Sequence, residues 1–110
     1  MLTLKEAIYR GARKMFTLDE IKNKAIPVAK KHNIVSLSLF GSYARDEQND
    51  NSDLDFLIVA NDKMGLFEYV EFYQELEKEF GCHVDVVTTG IEDKDFLNII
   101  EKDKKVLYAT

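Results

Sequence analysis

Seven residues, Leu54 to Ala60 (LDFLIVA), restrict the fold more than any other stretch of the chain. Six of them are apolar, and the run is nearly continuous rather than alternating. That pattern suits a central strand covered on both faces. Covering both faces of a sheet requires helices, so the segments on either side of this run decide the architecture.

Those segments alternate between helical and extended periodicity. Thr3-Leu4-Lys5-Glu6 reads as a capping box, opening a first helix with Leu4, Ala7, Ile8, Ala12 and Met15 on one side, although Gly11 weakens it. A second capping box, Thr17-Leu18-Asp19-Glu20, opens a helix running to about His32, which Pro27 either kinks or divides. Ile34 to Gly41 follows as a strand, with Val35, Leu37 and Leu39 forming an apolar face against Ser36 and Ser38. A short helical turn from Ser42 to about Glu47 and the polar loop QNDNS lead into the central strand.

Residues 65–81 give the clearest helix. Leu66, Tyr69, Val70, Tyr73, Leu76 and Phe80 form its apolar stripe, Glu68, Glu71, Glu75 and Glu79 lie opposite, and Gly81 stops it. Phe67 falls off the stripe; it either anchors a partner as an exposed aromatic or, the favoured reading, packs beneath the 61–65 loop. CHVDVVTT is a third strand, Ile91 to Glu101 a last helix, and Val106-Leu107-Tyr108 a short edge strand. The expectation is an α/β fold: a small mixed β-sheet flanked by helices.

Composition narrows the function. A chain of 110 residues with 45% hydrophobic and 32% charged residues is one globular domain rather than a disordered segment. No stretch approaches the roughly 18 apolar residues of a membrane span, and the N-terminus has no apolar signal core. The single Cys82 excludes an internal disulfide and fits a reducing cytoplasm. Residues 1–33 hold eight Lys/Arg to three Asp/Glu, whereas residues 34–110 hold seven to seventeen. So acidic a remainder argues against strong nucleic-acid binding.

The chemistry concentrates in FGSYARDEQNDNSDLDFLIV, residues 40–59. Side chains alternate along a strand, so Asp53 and Asp55 point to one face and Leu54 and Phe56 to the other. Two carboxylates about 6 Å apart repel by about 3 kcal/mol at an effective dielectric of 20. A divalent cation reverses that sign, and oxygen-rich sites completed by substrate phosphates suit magnesium. Gly41 lets backbone approach a ligand closely, and Ser42 begins a helix whose free N–H groups favour phosphate. Asp85, flanked by valines on an expected central strand, is costly there unless paired or metal-bound. It either binds a second metal or takes a proton from an attacking hydroxyl. His32, His83 and Cys82 read as structural, since the histidines lie too far apart for a zinc site.

The pattern GSYAR, a loop, then SDLD, with a later strand aspartate, resembles the nucleotidyltransferases of the DNA polymerase β superfamily. In compactness it resembles the minimal nucleotidyltransferases (MNT), often antitoxin partners of HEPN-domain toxins. The resemblance runs from about Thr17 to Tyr108 and implies a single nucleotidyltransferase domain, polymerase β palm-like, over 17–110; residues 1–16, outside it, form an expected N-terminal helical extension. It also implies that Gly41 and Ser42 hold the triphosphate and that Asp53 and Asp55 bind magnesium, two ions in all, with Asp85 the third acidic residue. Arg45 matches a frequent basic position and either touches phosphate or pairs with a carboxylate. Asp46 departs from the pattern, since relatives commonly carry a small residue, often Gly, there.

The expected activity is magnesium-dependent transfer of a nucleoside monophosphate, AMP from ATP, to a hydroxyl acceptor. The resemblance implies that this acceptor is a tyrosine of a cognate HEPN toxin. Two alternatives stand beside it. One is a catalytically weak antitoxin that neutralises its partner by binding, to which the extra charge of Asp46 points. The other is a small-molecule, antibiotic-type nucleotidyltransferase, whose site a homodimer could complete.

Overall fold

A computed structural model describes residues 15–90 and 93–110. The expected first helix lies outside the described residues, apart from Met15 and Phe16, which are not helical. From there the elements are α1 (Leu18–Lys31), β1 (Ser36–Phe40), α2 (Gly41–Ala44), β2 (Leu54–Val59), α3 (Leu66–Phe80), β3 (Val84–Thr88), α4 (Lys94–Asp103) and β4 (Lys105–Ala109). The four strands form one mixed sheet in the order β3-β2-β1-β4. β2 and β3 run parallel, while β1 is antiparallel to both β2 and β4.

Local chemistry sets the helix ends. The Thr17 hydroxyl accepts from the Glu20 N–H and Glu20 Oε1 accepts from the Thr17 N–H, each at 3.1 Å, so the capping box forms as the sequence dictates. α1 continues unbroken through Pro27. Proline removes one N–H donor, but Pro27 is exposed, so water can satisfy the carbonyl that donor would have met. α3 ends at Gly81, which adopts φ +63°. α2 spans a single turn, shorter than the helix expected to reach Glu47.

The sheet is covered on both sides. On one face Leu37, Leu39, Leu54, Phe56, Ile58 and Val84 pack against Ile21 and Ala25 of α1 and Phe72, Leu76 and Phe80 of α3. Burying each large side chain contributes about 1.5–3 kcal/mol. The Tyr69 hydroxyl donates to the Val86 carbonyl at 2.9 Å and fastens α3 to β3. Buried His32 meets Glu75 Oε1 at 3.1 Å and the edge of Phe72, a structural role joining α1 to α3. On the opposite face Phe40 and Leu57 pack under Ile100 of α4.

Four expectations about side chains are corrected. Phe72, not Leu66 or Val70, anchors the stripe of α3; the buried face centres on Phe72, Leu76 and Phe80, and Leu66 in the first turn and Val70, well round the helix from that face, are exposed. Phe67 does not pack under the 61–65 loop and is 90% exposed. In β1 the serine face is not the wet one: Ser38 is buried beside Leu57, while Val35 is partly exposed and Ile34 lies in the core. β3 is an edge strand rather than a central one, so Asp85 lies half-exposed. Among the described residues no helix is long and apolar enough to cross a membrane.

Candidate active site

Asp55 is the second residue of β2 and Asp85 the second of β3, and the parallel register sets them opposite each other. Neighbouring strands lie about 4.8 Å apart, so two such carboxylates must meet. They do, closely enough for Asp85 to raise the Asp55 carboxyl by charge and hydrogen bonding. Both point away from the Phe56 and Val84 core, because alternation places Leu54, Phe56 and Val84 on the other face. β3 thus lies directly beside β2, in parallel.

The opposite side of Asp55 is closed by backbone. Asp55 is also the register partner of Phe40, the last residue of β1. The chain then turns into α2 through Gly41, whose φ of +75° disfavours any residue with a side chain. A Cβ at Gly41 would overlap Asp55 Oδ2 and stand 3.1 Å from Asp55 Cγ. Glycine is therefore required twice over, for its dihedral and for the space its missing side chain leaves. Ser42 follows, half-buried, in the turn of α2. Phe40, the N-cap, supplies no side-chain cap to that turn.

Electrostatics follows from this packing. Burial, then the hydrogen bond and charge of Asp85, then the charge of Asp53, push the Asp55 carboxyl up to about 7, with Arg45 pulling the other way. Asp53 sits in the loop immediately before β2 and is exposed. It loads the site with charge without closing it. Among the described residues no three His, Cys, Asp or Glu side chains already form a group that could hold a metal ion. Two abutting carboxylates and a third beside them nevertheless suit magnesium, which takes one or two carboxylates and leaves the remaining positions to water and substrate phosphates.

Arg45 caps the end of α2, with its Nε 3.1 Å from Glu47 Oε2 and Nη1 3.7 Å from Asp103 Oδ2. It pairs with carboxylates here and remains close enough to act on Asp55. Asp46 adopts φ +57°, the left-handed conformation that glycine takes freely, and its carboxylate faces Lys105 Nζ at 3.8 Å.

His83, which the sequence reads as structural, lies beside the site. His83 Nε2 lies 3.1 Å from Asp85 Oδ1, and its Nδ1 lies 3.1 Å from Glu77 Oε2. Desolvation pulls the imidazole pKa down, but the hydrogen bonds and charges of Glu77 and Asp85 outweigh it and raise it. The signal was the two-residue spacing from Asp85, which puts both side chains on one side of a strand.

The chain is similar to known proteins over most of its length. The family model for polymerase β nucleotidyltransferases matches residues 23–110. A Methanocaldococcus jannaschii protein (MJ0435), provisionally named a protein adenylyltransferase, is 44% identical over 71 residues, covering 64% of this chain and 76% of its own. Protein adenylyltransferase MntA of Thermococcus cleftensis is 31% identical over 77 residues, covering 66% of this chain and 78% of its own. Among solved structures, a toxin–antitoxin complex with AMP-PNP superposes with a TM-score of 0.70 at 26% identity, covering 81% of this chain and 73% of that one. A complex of a tri-AMPylated Shewanella oneidensis HEPN toxin with an MNT antitoxin shares the fold, with a TM-score of 0.67 at 22% identity, covering 86% and 74%. With its strand-borne aspartates, its glycine turn and this match over most of its length, the chain belongs to the polymerase β nucleotidyltransferase family.

Proposed function

We propose that the chain transfers AMP from ATP to a tyrosine hydroxyl of a HEPN-type toxin and so acts as its antitoxin. The observation that carries this reading is the meeting of Asp55 and Asp85 against the backbone of Gly41, with Asp53 alongside. Stability alone does not favour such a concentration of like charge. Support for AMP and for a protein acceptor comes from relatives named protein adenylyltransferases and from the AMP-PNP complex.

Each residue has a part in this reaction. Gly41 and Ser42 receive the triphosphate on the turn of α2, and Arg45 exchanges its carboxylate partners for phosphate. Asp53, Asp55 and Asp85 are the oxygen donors that would hold magnesium. When bound, magnesium neutralises charge on the phosphates and on the attacking and leaving oxygens. Asp85, on the open edge strand, accepts the proton of the incoming hydroxyl. A bond forms between the acceptor oxygen and the α-phosphorus while the bond to the bridging oxygen breaks, and pyrophosphate leaves.

The edge position of β3 suits a protein acceptor, because a partner can approach Asp85 from solvent. Incubation with α-labelled ATP, magnesium and the protein encoded by the neighbouring gene tests the reading. It predicts label on the partner, lost in Asp53→Asn and Asp55→Asn. A tightly bound but unlabelled partner contradicts it in favour of neutralisation by occlusion; turnover of a hydroxylated small molecule alone contradicts it in favour of an antibiotic-type enzyme.

A further inference from the structure

The turn that joins α3 to β3 does more than reverse the chain. Gly81 lets the backbone double back within three residues, so His83 returns over the last turn of α3 and meets Glu77, six positions earlier. Two residues further on, Asp85 leaves the strand on the same side as His83. The imidazole thus stands between two carboxylates, 3.1 Å from Glu77 Oε2 and 3.1 Å from Asp85 Oδ1. Because a carboxylate only accepts, the Nε2–H of His83 donates to Asp85. The Tyr73 hydroxyl, 3.3 Å from Nδ1, holds the ring from the α3 side, and its own ring packs edge-on against the imidazole. Glu77 Oε2 additionally accepts from the Val84 N–H at 3.4 Å, so the anchor of this chain of contacts is fixed to the start of β3 itself.

Asp85 needs such a contact. Its side chain is 51% exposed on an edge strand, so packing alone does not fix its orientation. We infer that His83, braced by Glu77 and Tyr73, is a positioning residue that holds the Asp85 carboxylate in the orientation that receives the acceptor proton. This rests on the adenylyl-transfer reading above and adds to it a residue of this chain that touches neither nucleotide nor acceptor. Residues that orient a reacting or metal-bound group from behind change activity by about 10-fold to 100-fold when removed.

The test uses the full chain, α-labelled ATP, magnesium and the neighbouring-gene protein, with kcat and the KM for ATP measured separately. His83→Ala is expected to lower kcat at least about 10-fold while the KM for ATP stays within about 2-fold. His83→Gln places an amide N–H where Nε2 stands and is expected to recover most of the loss, whereas His83→Asn is too short and is not. Thermal midpoints of all three variants are expected to stay close to the parent, since His83 is half-exposed. A His83→Ala kcat equal to the parent, or His83→Gln no better than His83→Ala, overturns the inference while the parent reading stands. A parent chain that transfers no label overturns both.

Discussion

Asp55 and Asp85 face one another across parallel strands, and Gly41 backs Asp55 so closely that no Cβ fits between them. The fold thus assembles a pair of acids that opposes its own stability. Three elements far apart in sequence meet there: the end of β1, the start of β2 and the start of β3.

Asp55→Asn is expected to stabilise the metal-free chain at pH 8 by on the order of 1–2 kcal/mol, once the full shift is discounted for solvent screening. The sign follows from linkage. The carboxyl of Asp55 titrates at about 7 in the folded state against 3.8 in the unfolded chain. The folded state therefore holds its proton longer, and this contribution to stability is complete below pH 4 and lost as pH rises through 7. Urea unfolding in chelator is expected to show the gain at pH 8 and little of it at pH 4.

Magnesium-dependent nucleotide uptake is expected to weaken as pH falls below 7, because metal and proton compete for Asp55. Calorimetry in buffers of different ionisation enthalpy checks this, and release of a proton on binding near pH 6.5 is the expected result.

Gly41→Ala is expected to abolish transfer and to cost at least about 2 kcal/mol. A left-handed φ costs a residue with a side chain roughly 1–2 kcal/mol, and the added methyl must also displace the Asp55 carboxylate. Unfolding curves and label transfer, measured on one preparation, check both parts.

Asp46→Gly is expected to raise stability by about 0.5–1 kcal/mol and to leave transfer intact. It relieves the +57° dihedral at Asp46 and gives up only an exposed pairing with Lys105. A thermal midpoint below that of the parent contradicts this.

Much of the fold and of the candidate site was legible in the sequence. The LDFLIVA run announced a strand buried on both faces, the TLDE capping box fixed the start of α1, and Gly81 fixed the end of α3. Asp53 and Asp55 were readable because their spacing is local. What escaped notice depended on tertiary neighbours. Periodicity alone does not say which arc of α3 meets the sheet, so the expected stripe includes Leu66 and Val70 where the structure buries Phe72. Strand order is likewise absent from local pattern, so Asp85 is expected on a central strand but lies on an edge. The contact of His83 with Asp85, by contrast, is open to local spacing, which reading His83 as structural sets aside. Asp46 looked anomalous by its charge, whereas the structure draws attention to its left-handed backbone.

The central claim is that Asp53, Asp55 and Asp85 together make a magnesium-dependent site for AMP transfer. It is tested most directly by following label from α-labelled ATP onto the neighbouring-gene protein in the parent chain and in Asp53→Asn, Asp55→Asn and Asp85→Asn, with and without magnesium. The account predicts transfer by the parent only with magnesium and a loss of at least about 100-fold in each variant. Undiminished transfer in Asp55→Asn, or equal transfer in chelator, would contradict it.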